Sequence, residues 1–329
     1  MTLSDRCILV TGAGGFIGSH LCEALVARGA LVRALVNYNS RNDWGQLEHV
    51  PAEVREQMDI RAGDIRDPFF TDELTRGVDT VFHLAAQVAI PYSYIAPSRF
   101  VETNISGTVN VLEAARRHGV RRVIHTSTSE AYGTARYTPI DEDHPLTAQS
   151  PYAASKIGAD KIAQSYWCSF GTPVVTVRPF NTYGPRQSAR AFIPAVLSQI
   201  LTKDVVRVGA LDPRRDMTYV TDTVEGFVAA AITPDIDGKI FNLGSGRSWS
   251  MGELLDRLLR VTNRQCKVET DADRIRPPGS EVQELVSDAG RAKDDLGWQC
   301  QVDIGEGLTK ITEWVAANLA KYKPDVYAS

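Results

Sequence analysis

CILVTGAGGFIGSHL, residues 7–21, decides the fold. A short apolar run passes straight into Gly12, Gly15 and Gly18 at GxxGxxG spacing, and an amphipathic segment follows at once. Glycines at this spacing permit a tight turn, a close backbone approach to a pyrophosphate and close helix packing. The helix start that follows offers N–H donors and the positive end of a dipole. The stretch therefore predicts a strand, a phosphate-binding turn and a helix, with a dinucleotide as ligand.

Outward from this turn, apolar runs alternate with amphipathic ones: LVRALV, VDTVFHLAA, NISGTVNVLEAARRHG, RRVIHTSTS, SPYAASKIGADKIAQSYW and TPVVTVRPF. Strand-then-helix repetition predicts βαβ units, hence an α/β, doubly wound Rossmann fold on a parallel sheet. The alternation weakens after Gly184. We expect residues 1–184 to form the dinucleotide-binding domain and residues 185–329 mainly a smaller C-terminal substrate domain. That domain should sit over the sheet's C-terminal edge, with the chain returning to the first domain near 216–246.

The 329 residues are 43 % hydrophobic and 23 % charged, ordinary globular values for a chain long enough to bury a full core. Lys+Arg 36 against Asp+Glu 40 leaves a formal charge of −4, so no global basic field draws in nucleic acid and an anionic ligand must be held by local donors. Cys7, Cys22, Cys168, Cys266 and Cys300 are scattered without a CxxC, and the histidines stand singly, which argues for reduced thiols and against a metal. With no signal architecture and no long apolar run, the expected location is cytoplasmic and away from membranes.

Two further stretches bear on the ligand. The second strand should end in an acid for the adenine ribose hydroxyls, the usual mark of NAD, yet Val36 stands there. Asn37 offers a ribose partner, whereas Ser40 and Arg41 suit a 2′-phosphate, so NAD and NADP both stay open, as does a plain solvated role for Arg41. Asp64, in AGDIRD, is placed by order to meet the adenine. SPYAASK puts Tyr152 and Lys156 at i and i+4, on one face of a helix. A phenol of pKa about 10 becomes a base near neutrality only if cations lower it, and Lys156 offers one.

Gly12/Gly15/Gly18, HLAAQ (83–87), STSEAYG (127–133), Tyr152 with Lys156, and RPFNTYGP (178–185) together resemble the extended short-chain dehydrogenase/reductases, specifically the nucleotide-sugar epimerase/dehydratase family. VNYNSRNDWGQLEH, AIPYSY, STSEAYGTA and RPFNTYGPRQSARAFIP look closest to amino-sugar nucleotide 4,6-dehydratases of the legionaminic-acid type. The resemblance implies that Phe16, Ile17, Ile65, Leu84, Ala85 and Ala86 line the cofactor and that Gln87 lies at the substrate. It implies that Thr128 and Tyr152 bond the sugar's 4-hydroxyl, with Tyr152 as base and Lys156 on the nicotinamide ribose. Asn181 resembles a contact to the sugar diphosphate, Arg215 and Arg276 an arginine pair on the phosphates, and Glu281 an acid near the nucleotide ribose. Plainer roles stand beside these: Arg215 paired with Asp216 or Asp222, Arg276 on the surface, Asn181 capping a turn. Helices around 102–118 and 151–170 resemble a homodimer's four-helix interface.

Members of this family oxidise C4 of the sugar first. A 4-epimerase then needs only to turn the ketone, whereas a 4,6-dehydratase must also remove the C5 proton and expel the C6 hydroxyl, which requires a carboxylate. Glu130 is such a carboxylate, but Ser129 precedes it where dTDP-glucose dehydratases carry Asp. GDP-mannose dehydratases and UDP-glucuronate decarboxylases share Ser-Glu, and the lack of Lys or Arg in VAIPYSYIAPS (88–98) speaks against a C6 carboxylate. The leading expectation is an NAD(P)-dependent nucleotide-sugar 4,6-dehydratase, with NAD as the first choice and NADP possible, acting on a UDP- or GDP-linked hexose or N-acetylhexosamine. A 4-epimerase, a decarboxylase and a non-catalytic dinucleotide-binding module are the alternatives.

Overall fold

A computed structural model describes residues 3–324. Its centre is a parallel sheet of β1 (Cys7–Thr11), β2 (Leu31–Asn37), β3 (Asp59–Gly63), β4 (Thr80–His83), β5 (Arg122–Thr126), β6 (Val174–Pro179) and the strand Ile240–Leu243. Across the sheet the order runs from Ile240–Leu243 through β6, β5, β4, β1 and β2 to β3, and every neighbouring pair is parallel. The order reverses between β1 and β4, so a crevice opens at their C-terminal ends, where open α/β sheets hold ligands.

The strands are apolar almost throughout because helices cover both faces. One face buries Leu21 and Leu25 of helix Phe16–Ala27 with Val224 and Phe227 of helix Val220–Ile232. The other buries Leu74, Val111, Leu112 and Ala163, from helices Pro68–Thr75, Gly107–Arg117 and Pro151–Phe170. The helix expected from Asn104 begins differently: a π turn, Val101–Ser106, leads into Gly107–Arg117.

After Phe180 the chain leaves the sheet. Asn181–Tyr183 pairs with Arg214–Tyr219, which also pairs with Ser248–Ser250 and Glu284–Leu285, and Val205–Val208 pairs with Lys267–Thr270. Between these pieces Val220–Ile232 and Ile240–Leu243 join the large sheet. The carboxylate of buried Asp216 accepts from the backbone N–H groups of Ser245, Gly246 and Ser287, and so ties three of the crossing segments together.

The first turn is the tightest approach in the crevice. Gly12 has φ +74°, and a Cβ there would lie 2.8 Å from the backbone nitrogen of Ala85; at Gly18 a Cβ would lie 2.2 Å from the Gly12 carbonyl oxygen. Only hydrogen fits either position. Gly18→Ala is therefore expected to destabilise the protein by about 1–3 kcal/mol through overpacking against backbone, read as a lowered thermal midpoint.

Candidate active site

The glycine turn presents the start of helix Phe16–Ala27 to the crevice. Gly15 is its N-cap and brings no capping side chain, so the first-turn N–H groups around Phe16 and Ile17 are not bonded by a side chain of their own cap. The turn is closed by a bond from Gly15 N–H to the Gly12 carbonyl, and half-buried Leu84, Ala85 and Ala86 run past it. Ala85 N–H donates to Thr11 Oγ1 at 3.1 Å, which fixes the separation between the two loops. A bare helix start against a backbone wall that admits no Cβ suits the pyrophosphate of a dinucleotide.

The two neighbouring strand ends carry the other residues expected at the cofactor. Val36 is buried, while Asn37, Ser40 and Arg41 are exposed; Arg41 reaches Asp43 at 3.7 Å. The loop is built on Asn39, whose Oδ1 accepts from the N–H groups of Arg41 and Asp43. Asp64 is held by Arg66, with Nη2 at 2.6 Å, and this bonding holds its carboxyl below the usual range. Ile65 is a core residue, its side chain lying where a Cβ on Gly107 would collide with it.

β5 delivers TSTSE to the C-terminal edge, and helix Pro151–Phe170 crosses beside it. That helix starts where local chemistry demands: Ser150 Oγ accepts from Ala153 N–H, Pro151 occupies the first turn, and Gly171 closes the far end in the left-handed region. Tyr152 and Lys156 are both buried, at 8 % and 5 % exposure. The Thr128 hydroxyl lies beside the Tyr152 phenol. Burial pushes the phenol up to about 12; the Thr128 hydroxyl opposes that rise and the nearby Glu130 carboxylate adds to it. The Lys156 ammonium donates to the Thr126 carbonyl at 2.6 Å. Burial brings Lys156 down to about 8, with Asp160 opposing the fall. Ser129 is buried at 3 %, and the Glu130 side chain, 12 % exposed, faces Arg215 with Oε1 3.8 Å from Nε.

Arg215 is the hub of the far wall. It donates from Nη1 to the Val282 carbonyl at 2.8 Å and from Nη2 to Glu281 Oε1 at 3.2 Å, and the same Oε1 accepts from Arg276 Nη1 at 3.4 Å. Its carboxylate partners are thus Glu281 and Glu130, in place of Asp216 or Asp222. Asp222 instead receives the N–H groups of Gln301 and Val302. Asn181 lies on the strand beside Met217, and its buried Oδ1 has no hydrogen-bond partner within the described residues. A buried polar oxygen left without a partner is one that a donor from a bound ligand would satisfy. A turn over this wall is held down by Ser280 Oγ to Tyr94 Oη at 2.6 Å and by Gln149 to the Gly279 carbonyl.

Three structural partners escaped sequence reasoning. Asn104, inside the π turn, bonds both the N–H and the carbonyl of Gln87 and also Ser155, and so fixes the HLAAQ loop to the Tyr152 helix. Buried His83 sits between Thr11 and Thr108 at 2.9 and 3.0 Å. Asp160, one helical turn past Lys156, gathers His125, Ser127 and Arg178. The spacing Tyr-x3-Lys-x3-Asp was a visible signal for Asp160; for Asn104 and His83 there was none.

Comparison with known proteins agrees with this geometry. The family described as GDP-mannose 4,6 dehydratase matches residues 9–311. The chain is 32 % identical over 326 residues to dTDP-D-glucose 4,6-dehydratase of Mus musculus, spanning 96 % of this chain and 90 % of that protein. It is 34 % identical over 313 residues to UDP-glucose 4-epimerase of Mycolicibacterium smegmatis, spanning 93 % and 97 %. The crystal structure of DesIV, a dTDP-glucose 4,6-dehydratase from Streptomyces venezuelae with NAD and TYD bound, superposes with a TM-score of 0.88 at 30 % identity, covering 97 % of this chain and 99 % of that one. With a cradle, a Tyr-Lys pair and an arginine-lined wall on one crevice, the chain belongs to the GDP-mannose 4,6 dehydratase family of nucleotide-sugar dehydratases and epimerases.

Proposed function

We propose that this protein is an NAD-dependent nucleotide-sugar 4,6-dehydratase, with Tyr152 as base for the C4 hydroxyl and Glu130 as base for C5. The observation that carries the reading is Glu130 itself: a nearly buried carboxylate whose charge acts on the Tyr152 phenol and whose oxygen faces Arg215. A plain 4-epimerase has no use for a carboxylate there. The division of labour follows the topology: residues 1–184 with the return near 216–246 hold the dinucleotide, and the remainder of 185–329 holds the nucleotide sugar.

When bound, NAD would supply a reversible hydride store for the sugar carbon whose hydroxyl Tyr152 deprotonates. The glycine turn holds the pyrophosphate, and Lys156 faces the nicotinamide ribose. Asn37 serves the adenine ribose in place of the missing acid. Tyr152, with Thr128 beside it, takes the C4 hydroxyl proton; the positive charge of Lys156 and of the bound ring favours the phenolate that burial alone opposes. The ketone at C4 acidifies C5–H, and Glu130 takes that proton. Glu130, now protonated, passes the proton to the C6 hydroxyl, which leaves as water while the C5–C6 double bond forms. Ser129 is too weak an acid for this last transfer, so Glu130 carries both. Arg215 and Arg276 hold the diphosphate with Asn181, Glu281 turns to the nucleotide ribose, and Gln87 borders the sugar. The apolar and hydroxyl-bearing segment 88–98 suits an uncharged C6, as in a UDP- or GDP-linked hexose or N-acetylhexosamine, the legionaminic-type substrates included. Helices near 102–118 and 151–170, which leave Val101 and Phe170 exposed, form the homodimer contact.

Mass spectrometry of products across a panel of nucleotide sugars tests the reaction: loss of one water is expected. A 4-epimer of unchanged mass as sole product would replace this reading with that of the epimerase relative. Tyr152→Phe should lower nicotinamide reduction about 10²–10⁴-fold, measured as absorbance on mixing with substrate. Glu130→Gln should retain that reduction and lose water elimination; equal loss of both steps with binding intact would make Glu130 structural. Arg215→Met should weaken nucleotide-sugar binding by about 1.5–3 kcal/mol, the worth of a charge-assisted hydrogen bond, measured by calorimetry.

A further inference from the structure

We propose that Asp160 is a positioning residue for this site: its carboxylate docks the strand end bearing Thr128 and Glu130 onto the helix bearing Tyr152 and Lys156, and sets a buried negative charge opposite the Lys156 ammonium. The inference rests on the reading of Tyr152 and Lys156 as the reaction centre.

Asp160 is 5 % exposed and accepts from four donors: Ser127 Oγ at 2.7 Å, His125 Nε2 at 3.0 Å, Arg178 Nη2 at 3.0 Å and Arg178 Nε at 3.3 Å. A carboxylate only accepts, so the proton of neutral His125 sits on Nε2, and its buried Nδ1 is left without a partner. Ser127 is the residue before Thr128, and its neighbour Thr126 takes the Lys156 ammonium on its carbonyl. Strand end and helix are therefore joined three times, by Lys156 to Thr126 and by His125 and Ser127 to Asp160. Thr128 and Glu130 follow directly on that joint.

The charges agree. Lys156 is faced by Asp160 from its own helix, by His83 of β4 and by His125 of β5, while Arg178 of β6 lies behind Asp160. Both histidines are held neutral by burial, with Lys156 adding to the effect. Two cations thus stand beside one carboxylate, and removing it leaves them facing each other in a medium of low dielectric. Opposite charge favours the ammonium, so its loss moves the Lys156 titration to lower pH.

The test is NMR of protein carrying ¹³C at the lysine side-chain ε-carbons, with the Lys156 signal assigned through Lys156→Met. The signal should titrate near 8 in the unaltered protein, and in Asp160→Asn about one pH unit or more lower. An unchanged midpoint in a folded Asp160→Asn variant overturns the charge role. Asp160→Glu, which keeps the charge on a longer arm, should keep the midpoint; its loss overturns the same role even if Asp160→Asn does not fold. Ser127→Ala removes the docking bond next to Thr128 and leaves the Asp160 charge and the His125 bond in place, so the midpoint and NAD affinity should stay while nicotinamide reduction falls about tenfold; an undiminished rate overturns the docking role. The lysine titration needs no sugar, so a chain that converts none of the panel sinks the dehydratase reading and leaves the charge result standing.

Discussion

The bond from the Lys156 ammonium to the Thr126 carbonyl is the contact on which the rest of the site depends. A buried ammonium is costly unless it is bonded and balanced, so this contact dictates what surrounds it. The helix must bring Lys156 to the C-terminal end of β5, an acid must stand near, and the histidines alongside must stay neutral. Once Lys156 is seated, Tyr152 one turn earlier is carried to Thr128, and Glu130 is carried to the mouth of the crevice.

The opposite wall is organised by a second charge problem. Arg215, 6 % exposed, has two carboxylates and two carbonyls for partners, and one of those carboxylates, Glu130, belongs to the strand end beside Tyr152. The arginine wall thereby faces Glu130 directly. Shared partners of this kind couple two walls of a crevice without any intervening element. The crevice at the reversal between β1 and β4 is what lets both walls converge, because loops from either half of the sheet leave from the same edge.

Much of the candidate site was legible from residue type and spacing. The glycine turn, the Tyr152–Lys156 pair and the Ser-Glu strand end each encode a local geometry: a turn, one face of a helix, a strand terminus. Arg215, Arg276 and Glu281 were singled out through family resemblance, and the tertiary structure brings both arginines onto one carboxylate oxygen of Glu281. Asn104 was not legible, since an asparagine near a helix start has many local uses and only the π turn aims it at Gln87. Asp64 was placed near the adenine by its order in the chain, and its bond to Arg66, two residues away, came only with the structure. The pair was visible in the sequence, but exposed pairs of this kind form or not according to the surrounding loops.

What the sequence by itself determined was everything set by short-range periodicity and sterics: the parallel α/β fold, the place of the phosphate turn, and the helix face shared by Tyr152 and Lys156. These follow from contacts within a few residues, and a chain pattern records them directly. Which acid meets which cation was decided only by the tertiary structure. Asp160 with Arg178, Arg215 with Glu281 and Glu130, and Lys156 with Thr126 join residues far apart in the chain or on different elements. Such pairings depend on the packing of whole helices and strands, since burial alone makes a charge choose a partner and the sequence does not state which charges will be buried together.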